Sequence, residues 1–499
     1  MDYYILYVLG SIFTCSLLFV LPKIHSKKLP PGPTPWPIIG NLHLLGAKPH
    51  KSLANLAKIY GPIMSLKLGQ ITTIVISSSA MAKQVLQKQD LAFSTRFIPD
   101  ALQAHNHYKF SVPWLPVCTQ WRTLRRILNT NILSYNRLDA NQHLRSQKVK
   151  ELLAYCAKCC QQGEAVDVGQ VAFKTSLNLL SNTLFSKDLA DPFSDSKVEL
   201  KEVIWSITTE VGKPNLVDFF PIFEKIDPQG IRRRTTICFG KLFKLFDELI
   251  NERLKEKRRN RGEKSDVLEA LLDISAKNPE EIGQNHIKSM FLDLFGAGTD
   301  TTTSTLEWAM AEMLRQPEIM RKAQVELGEV IGKGKIVEEA DVSQLPYLQC
   351  IIKETLRMHP PFPLLVPRKV EQDVELCDYI IPKGSQVLVN AWAIGRDSTF
   401  WKDPLVFRPE RFWNLDLDMR GKDFELIPFG AGRRICPGLP LALRMVQVML
   451  GSLLNSFNWK LEVGIEAQEL NMEEKFGITL AKAHPLRAIP SLVPDLKGH

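Results

Sequence analysis

The sequence predicts a mainly α protein with a small β portion, preceded by a single N-terminal transmembrane helix. Three observations carry this. The middle third of the chain is dominated by helical periodicity, without repeats or low-complexity tracts. Strand-like alternation is confined to short stretches, chiefly Ile63–Ser77 around a Gly69-Gln70 break and Tyr379–Val389 around Pro382-Lys383-Gly384. Residues Tyr3 to Leu21 are apolar without a single charge. At helical rise they span roughly 28 Å, about a bilayer core.

Taken in order, the apolar run has no basic segment before it and no small-x-small cleavage site after it, so it reads as a signal anchor and not a cleaved signal. Lys23, Lys27 and Lys28 follow it and Asp2 precedes it, which puts the body in the cytosol. The expected location is the endoplasmic reticulum membrane, single-pass. Residues 1–22 are then the anchor, 23–40 a basic and proline-rich linker, and 41–499 one folded body. The stretch Leu29-Pro-Pro-Gly-Pro-Thr-Pro-Trp-Pro37 excludes helix and makes a stiff spacer. Ser79 is placed to cap a helix Ala80–Lys88, and Phe97–Val117 reads as a long loop. Trp121-Arg-Thr-Leu-Arg125 opens a helix, with Trp121 and Arg125 on one face. Cys156, Cys159 and Cys160 fall in a helical run with no second cluster to complete a four-ligand site, so they read as packing. Leu216–Phe223 is an apolar patch, either core or a segment that dips into a membrane near a substrate mouth. Arg253–Lys264 is a charge run read as a solvated helix end.

Hydrophobic residues make up 45% and charged residues 23%, as in ordinary globular chains. The net charge of +9 suits an anionic membrane surface or an acidic protein partner. The basic residues do not interleave with aromatics in any compact module, which excludes nucleic-acid binding. Nine cysteines form no framework and imply reduced thiols. Gly430-Ala-Gly432 lacks the third glycine of a dinucleotide fingerprint, and Gly332-Lys-Gly-Lys335 lacks phosphate-loop spacing. The chain therefore has no nucleotide site of its own.

The chemistry concentrates in three places. In Phe429-Gly-Ala-Gly432-Arg-Arg434-Ile-Cys436-Pro-Gly438 a cysteine sits where the helix Leu439-Pro-Leu-Ala begins. Helix-start N–H groups and guanidinium charge lower a thiol's pKa, as a metal-binding thiolate requires. Gly432 and Gly438 let the backbone approach something flat, and an arginine can pair with a carboxylate on it. The alternative is a buried structural cysteine. Gly296-Ala297-Gly298-Thr299-Asp300-Thr301-Thr302 interrupts a helical pattern over Met290–Leu314. It reads as a local opening that offers hydroxyls and a carboxylate to a ligand, since a hydroxyl beside an acid relays protons; a kink for packing is the alternative. Glu354 and Arg357 lie three apart on one helix face, with Phe407-Arg-Pro-Glu-Arg411-Phe412 downstream.

In this order and spacing the three motifs resemble the cytochrome P450 family of haem-thiolate monooxygenases, and the resemblance covers essentially the whole chain. It implies that Cys436 is the axial ligand of the iron of haem b, that Phe429 packs on the sulfur side, and that Arg434, Trp121 and Arg125 reach the haem propionates. It implies that Ala297 leaves room over the iron, that Thr301 and Asp300 deliver protons, and that Glu354, Arg357 and Arg411 form a buried ion-pair network. Electrons would come from NADPH through NADPH–cytochrome P450 reductase, with Arg433, Arg122 and Arg126 as positive charges facing it. The reaction is insertion of one atom of O2 into a C–H bond, the other leaving as water. A haem protein that only passes electrons is the rival, and Asp300 and Thr301 speak against it.

Longer strings narrow the resemblance. His50-Lys-Ser-Leu-Ala54, Ile71–Ser79, Pro214–Pro221, Val389–Asp397 and Met472–Leu480 are similar to a plant microsomal subfamily that oxidises geraniol at its terminal allylic methyl group. This implies conversion of geraniol to 8-hydroxygeraniol in monoterpenoid and iridoid biosynthesis. The residues themselves give only apolar pocket stretches suited to a small hydrophobic alcohol: Phe362-Pro-Leu364-Leu365-Val366, Phe476-Gly-Ile478, and Ala101–Val117 as a third wall. Another terpenoid or a small phenolic stays open.

Overall fold

The computed structural model describes residues 29–191, 193, 198–259 and 266–493; the apolar run Tyr3–Leu21 lies outside them. The described chain is mainly helical with small sheets, as the periodicities predict. Its axis is helix α5, Gln284–Arg315, labelled after α1 (Pro49–Tyr60), α2 (Thr119–Asn131), α3 (Val168–Phe185) and α4 (Val198–Gly212). Beyond it come α6 (Pro346–Met358) and α7 (Leu439–Ser456). The first half of α5 buries Ile287, Phe291 and Phe295 in a core shared with α2 and α3. Its second half buries Leu306, Met310 and Met313 in a core shared with α6 and α7. The two halves part at Gly296–Thr302, where small side chains leave room. α7 is long and apolar enough to cross a membrane by length and composition, yet most of it is buried against these helices.

Strands β1 (Ile63–Leu68) and β2 (Ile71–Ile76) form the expected hairpin, from Ile63↔Ile76 to Leu68↔Ile71. Its turn needs Gly69, at φ +57°, because a Cβ there would lie 2.6 Å from the Phe219 carbonyl. With β3 (Arg368–Lys369) and β4 (Gln386–Val389) they make a sheet of order β1-β2-β4-β3, in which only β2 and β4 are parallel. The two short strands expected in Tyr379–Val389 are present, Tyr379–Ile381 and β4, in different sheets. Tyr379–Ile381 pairs with Val374–Leu376, and β4 joins β2.

The proline stretch docks on β1: Ser65 donates from N to Pro31 O (2.9 Å) and from Oγ to Pro30 O (2.6 Å). Three expectations are corrected. Ser78, and not Ser79, caps the following helix, by accepting from Met81 N. Phe97–Val117 contains 3-10 turns over Asp100–Lys109, reversed at His105 and Asn106. Arg253 is buried and paired to Asp266 at 2.6 Å, so only the later part of that charge run is a helix end. Cys156 and Cys159 are buried in the helix Gln142–Gln162, and no metal-holding cluster occurs among the described residues.

Candidate active site

Where the halves of α5 part, a cavity of about 500 Å³ opens, with Cys436 on its floor and Gly296, Ala297 and Thr301 on its roof. The floor loop closes on itself: Cys436 N donates to Phe429 O at 3.0 Å. The thiol faces the N–H groups of Gly438 and Leu439 at the start of α7, with Arg125 nearby. Burial outweighs these three, and the thiol's pKa is raised. A metal cation held by Cys436 would supply what burial takes away, since a coordinated cation deprotonates its thiol ligand. The glycines divide their work. Gly438 leaves the sulfur open, with a Cβ position 3.8 Å from Sγ. Gly432, at φ +67°, lets the loop pack against the chain: a Cβ there would strike Leu86 O at 1.8 Å.

Beneath the floor the expected ion-pair network is present. Glu354 accepts from Arg357 Nε (2.7 Å) and Nη2 (2.8 Å), from Arg411 Nε (2.9 Å) and from the Arg408 backbone N (2.8 Å). Arg357 also donates through Nη1 to Gly395 O (2.5 Å) and Pro404 O (2.8 Å). Glu354 and Arg357 are fully buried. One buried carboxylate thus serves two guanidinium groups, and backbone carbonyls take up their remaining N–H donors.

One edge of the cavity is the opposite case. Arg96, Arg125, Arg368 and Arg434 all line it, and among the described residues none forms an ion pair with a carboxylate. Arg96 and Arg368 stand opposite each other in an isolated β-bridge. Like charges so placed repel. Burial and the neighbouring guanidinium groups push Arg434 down to about 9, and they hold Arg96 well below the usual arginine range. Burial lowers Arg368 to about 10, against the pull of Asp90. Much of their hydrogen-bonding goes to carbonyls: Arg434 to Ser94, Val112 and Leu115, Arg125 to Ile435 (2.7 Å), Arg368 to Phe93 (2.8 Å). Trp121 meets this group indirectly. Its indole N–H donates to Val112 O (3.1 Å) while Arg434 lies over its ring at 4.7 Å. Uncompensated positive charge on one rim, a thiol on the floor and apolar walls fit haem with its two propionates. Sequence reasoning missed Arg96 and Arg368, which come together only through a β-bridge between distant segments.

The roof differs from expectation in one respect. α5 runs unbroken through Gly296–Thr302, and the threonine hydroxyls bond back to carbonyls one turn earlier. Thr301 Oγ1 donates to Ala297 O at 2.7 Å, and Thr299 and Thr302 do likewise. Ala297 and Thr301, four apart, share the cavity face. Asp300 points elsewhere, toward the Thr208 hydroxyl of α4, and Thr208 itself lines the cavity. Burial raises Asp300 to about 6, with Thr208 pulling it back. Leu364, Leu365 and Phe476 line the walls as expected, and Leu102, Val112 and Trp114 supply the third wall. Two of the arginines expected to face a reductase are engaged: Arg433 with Asp90 at 3.1 Å and Arg126 with Glu281 at 3.5 Å. Arg122 is exposed.

A thiol-floored cavity under a small-residue helix, rimmed by unpaired arginines, is the arrangement of a haem-binding oxygenase. The sequence pattern of the family Cytochrome P450 matches residues 30–484, and the chain belongs to that family. It is a haem monooxygenase, supplied with electrons from NADPH through a reductase. Among individual proteins it is 67% identical to a geraniol 8-hydroxylase of Catharanthus roseus over 98% of this chain and 99% of that one. It is 66% identical to a geraniol 8-hydroxylase of Swertia mussotii over 96% and 97% of the two chains. It is 59% identical to a 7-ethoxycoumarin O-deethylase of Helianthus tuberosus over 98% and 99%.

Proposed function

We propose that the chain hydroxylates a small terpenoid alcohol, geraniol to 8-hydroxygeraniol, in monoterpenoid biosynthesis. The observation that carries the reading is 67% identity across 98% of the chain to a geraniol 8-hydroxylase. The apolar walls suit a ten-carbon alcohol. Cys436 would hold the iron, with Phe429 and Gly438 beside the sulfur. Arg434, Arg125, Arg96 and Arg368 would hold the propionates, with Trp121 supporting Arg434. Bound haem supplies oxygen activation. The chain's own residues bind the alcohol, exclude water and move protons. Ala297 leaves space on the roof, and Leu364, Leu365 and Phe476 align the carbon chain. Rotation of the Thr301 hydroxyl away from Ala297 O presents its proton to the cavity, and Asp300 resupplies it by way of Thr208 or water. An acid poised near 6 is suited to that exchange.

The membrane reading belongs here too: anchor 1–22, linker 23–40, catalytic body 41–499, with the body on the cytosolic face of the endoplasmic reticulum. Supporting it, Trp36, Ile38, Leu216, Ile222, Phe223 and Ile226 are exposed. Gln70 N donates to Phe219 O (2.9 Å), and Gly40 bridges Leu68, so both apolar strips adjoin one hairpin. Such a patch is suited to a bilayer surface.

Product analysis from microsomes carrying the chain, reductase, NADPH and geraniol tests the reading. 8-Hydroxygeraniol is expected, and its absence overturns the substrate assignment. The deethylase relative favours a second reading, a small phenolic ether, which 7-ethoxycoumarin turnover in the same microsomes checks.

A further inference from the structure

We propose that Glu474 is a positioning residue: its buried clamp with His50, Lys51 and Trp392 fixes the wall turn Phe476–Thr479, and thereby which substrate carbon meets the cavity floor. The proposal rests on the reading that the cavity takes a small terpenol.

The turn joins β5 (Glu474–Lys475) to β6 (Ala481–Lys482), a hairpin of two residue pairs. A hairpin this small does not hold itself together in water. Its order must come from anchors, and successive residues of β5 reach in opposite directions for them. Lys475 is exposed and lies over the Trp205 ring of α4 at 5.2 Å. Glu474 is buried, and its carboxylate accepts three bonds. His50 Nε2 donates to Oε2 at 3.2 Å, Lys51 Nζ to Oε2 at 2.5 Å, and Trp392 Nε1 to Oε1 at 3.4 Å. His50 and Lys51 belong to α1 and Trp392 follows β4, so one carboxylate ties three distant segments together.

The clamp leads directly to the cavity wall. His50 is completely buried, and its ring stacks on Phe476 with centroids 5.5 Å apart and planes at 14°. Phe476, Gly477, Ile478 and Thr479 all line the cavity. Asn390 Nδ2 donates to His50 O at 2.9 Å and holds that ring's backbone in turn. From the other side, α4 ends against the same turn: a Cβ on Gly212 would lie 2.2 Å from Ile478 N. The turn is thus held between a charged clamp behind it and a close backbone contact in front.

Glu474 touches neither the cavity nor Cys436. Losing its charge leaves His50 and Lys51 facing a neutral amide with one acceptor oxygen, which loosens the clamp and the Phe476 ring that stacks on His50. A shift of about 1 Å in a wall costs on the order of a hundredfold at a reacting carbon held by that wall. Effects are therefore expected on where oxidation falls and on its coupling to NADPH, and not on haem binding.

The test uses the full chain in microsomes with reductase, NADPH and geraniol. Glu474→Gln should keep the wild-type carbon-monoxide difference spectrum. Its ratio of main to minor oxidation products should fall about tenfold, and its KM should rise. Gly212→Ala pushes the same turn from the front and should redistribute products with the clamp intact. Glu473→Gln, whose exposed carboxylate pairs with Lys48 at 2.8 Å, should match wild type. Wild-type product ratios in Glu474→Gln overturn the proposal, as does a loss of haem content that accounts for all lost product. A wild-type chain that converts no terpenol sinks the substrate reading and the clamp with it. An active wild type beside an unaltered Glu474→Gln sinks the clamp alone.

Discussion

The floor and the roof of the cavity are built on opposite principles. The floor comes from one stretch of ten residues, Phe429–Gly438, braced by Glu354, Arg357 and Arg411, and nearly every polar group beneath it is bonded. The roof and walls come from α3, α4, α5, the turn at Phe476 and two loops, and they meet through apolar side chains. A floor of this kind tolerates little change, because each bond fixes another. A wall of this kind changes by increments of volume. On the proposed reading, fold and cofactor retention would belong to the first region and substrate choice to the second, and substitutions should divide the same way.

The largest effect is expected below the floor. Glu354→Ala strands the fully buried Arg357 guanidinium and removes the carboxylate partner of Arg411, a loss of about 3–5 kcal/mol. Little haem-loaded protein should form, read by the carbon-monoxide difference spectrum and thermal melting. Glu318→Ala is the control. Glu318 and Arg321 have the same spacing and bond at 2.7 Å, but both are exposed, so neither readout should move.

Next comes proton supply in the roof. Asp300→Asn should reduce coupled hydroxylation by roughly a hundredfold and remove a pH limb near 6. Stability should move the other way. The folded pKa of about 6 lies above the unfolded 3.8, so ionised Asp300 is destabilising, and wild type loses stability as pH rises through that interval. A neutral amide at this position removes the loss, so the variant should gain on wild type in melts above about pH 6 and not below about pH 4. A parallel fall in activity and stability at pH 7.5 would instead make Asp300 structural.

The same division explains what was legible in the sequence. The floor was readable because its residues are neighbours in the chain and each has a local job, as with Cys436 at the start of α7. Glu354 and Arg357 were readable only together with Arg411; by spacing alone they match the surface pair Glu318 and Arg321. Arg96 and Arg368 were not readable, because what makes them a site is their meeting across a β-bridge 272 residues apart in sequence (368 − 96). The direction of Asp300 was lost for a simpler reason. Glycines and hydroxyls in mid-helix suggest a broken helix, but α5 is continuous, its threonines bond back to carbonyls, and regular geometry turns Asp300 off the face of Ala297 and Thr301.

Those two arginines supply a test with opposite signs in two states of one protein. Without haem, Arg96 is a buried cation among like charges, so Arg96→Gln should raise the melting temperature of haem-free protein. With haem, a charge-assisted bond worth about 1.5–3 kcal/mol is lost, and the loaded protein should melt lower and release haem faster. Equal shifts in both states would remove Arg96 from the cofactor rim.

The smallest effect is expected in the walls. Leu364 packs with Leu68, Val75 and Leu388, away from every charge of the floor. Leu364→Ala opens the cavity without stranding a polar group. In a hydrophobic pocket one methylene alters selectivity by about 1–3 kcal/mol, so the ratio between two carbons of geraniol should change roughly tenfold or more. The carbon-monoxide spectrum should stay that of wild type. Leu364→Ile conserves volume and should alter the ratio far less. If Leu364→Ala also empties the haem site, floor and wall are one cooperative unit, and the division between them fails.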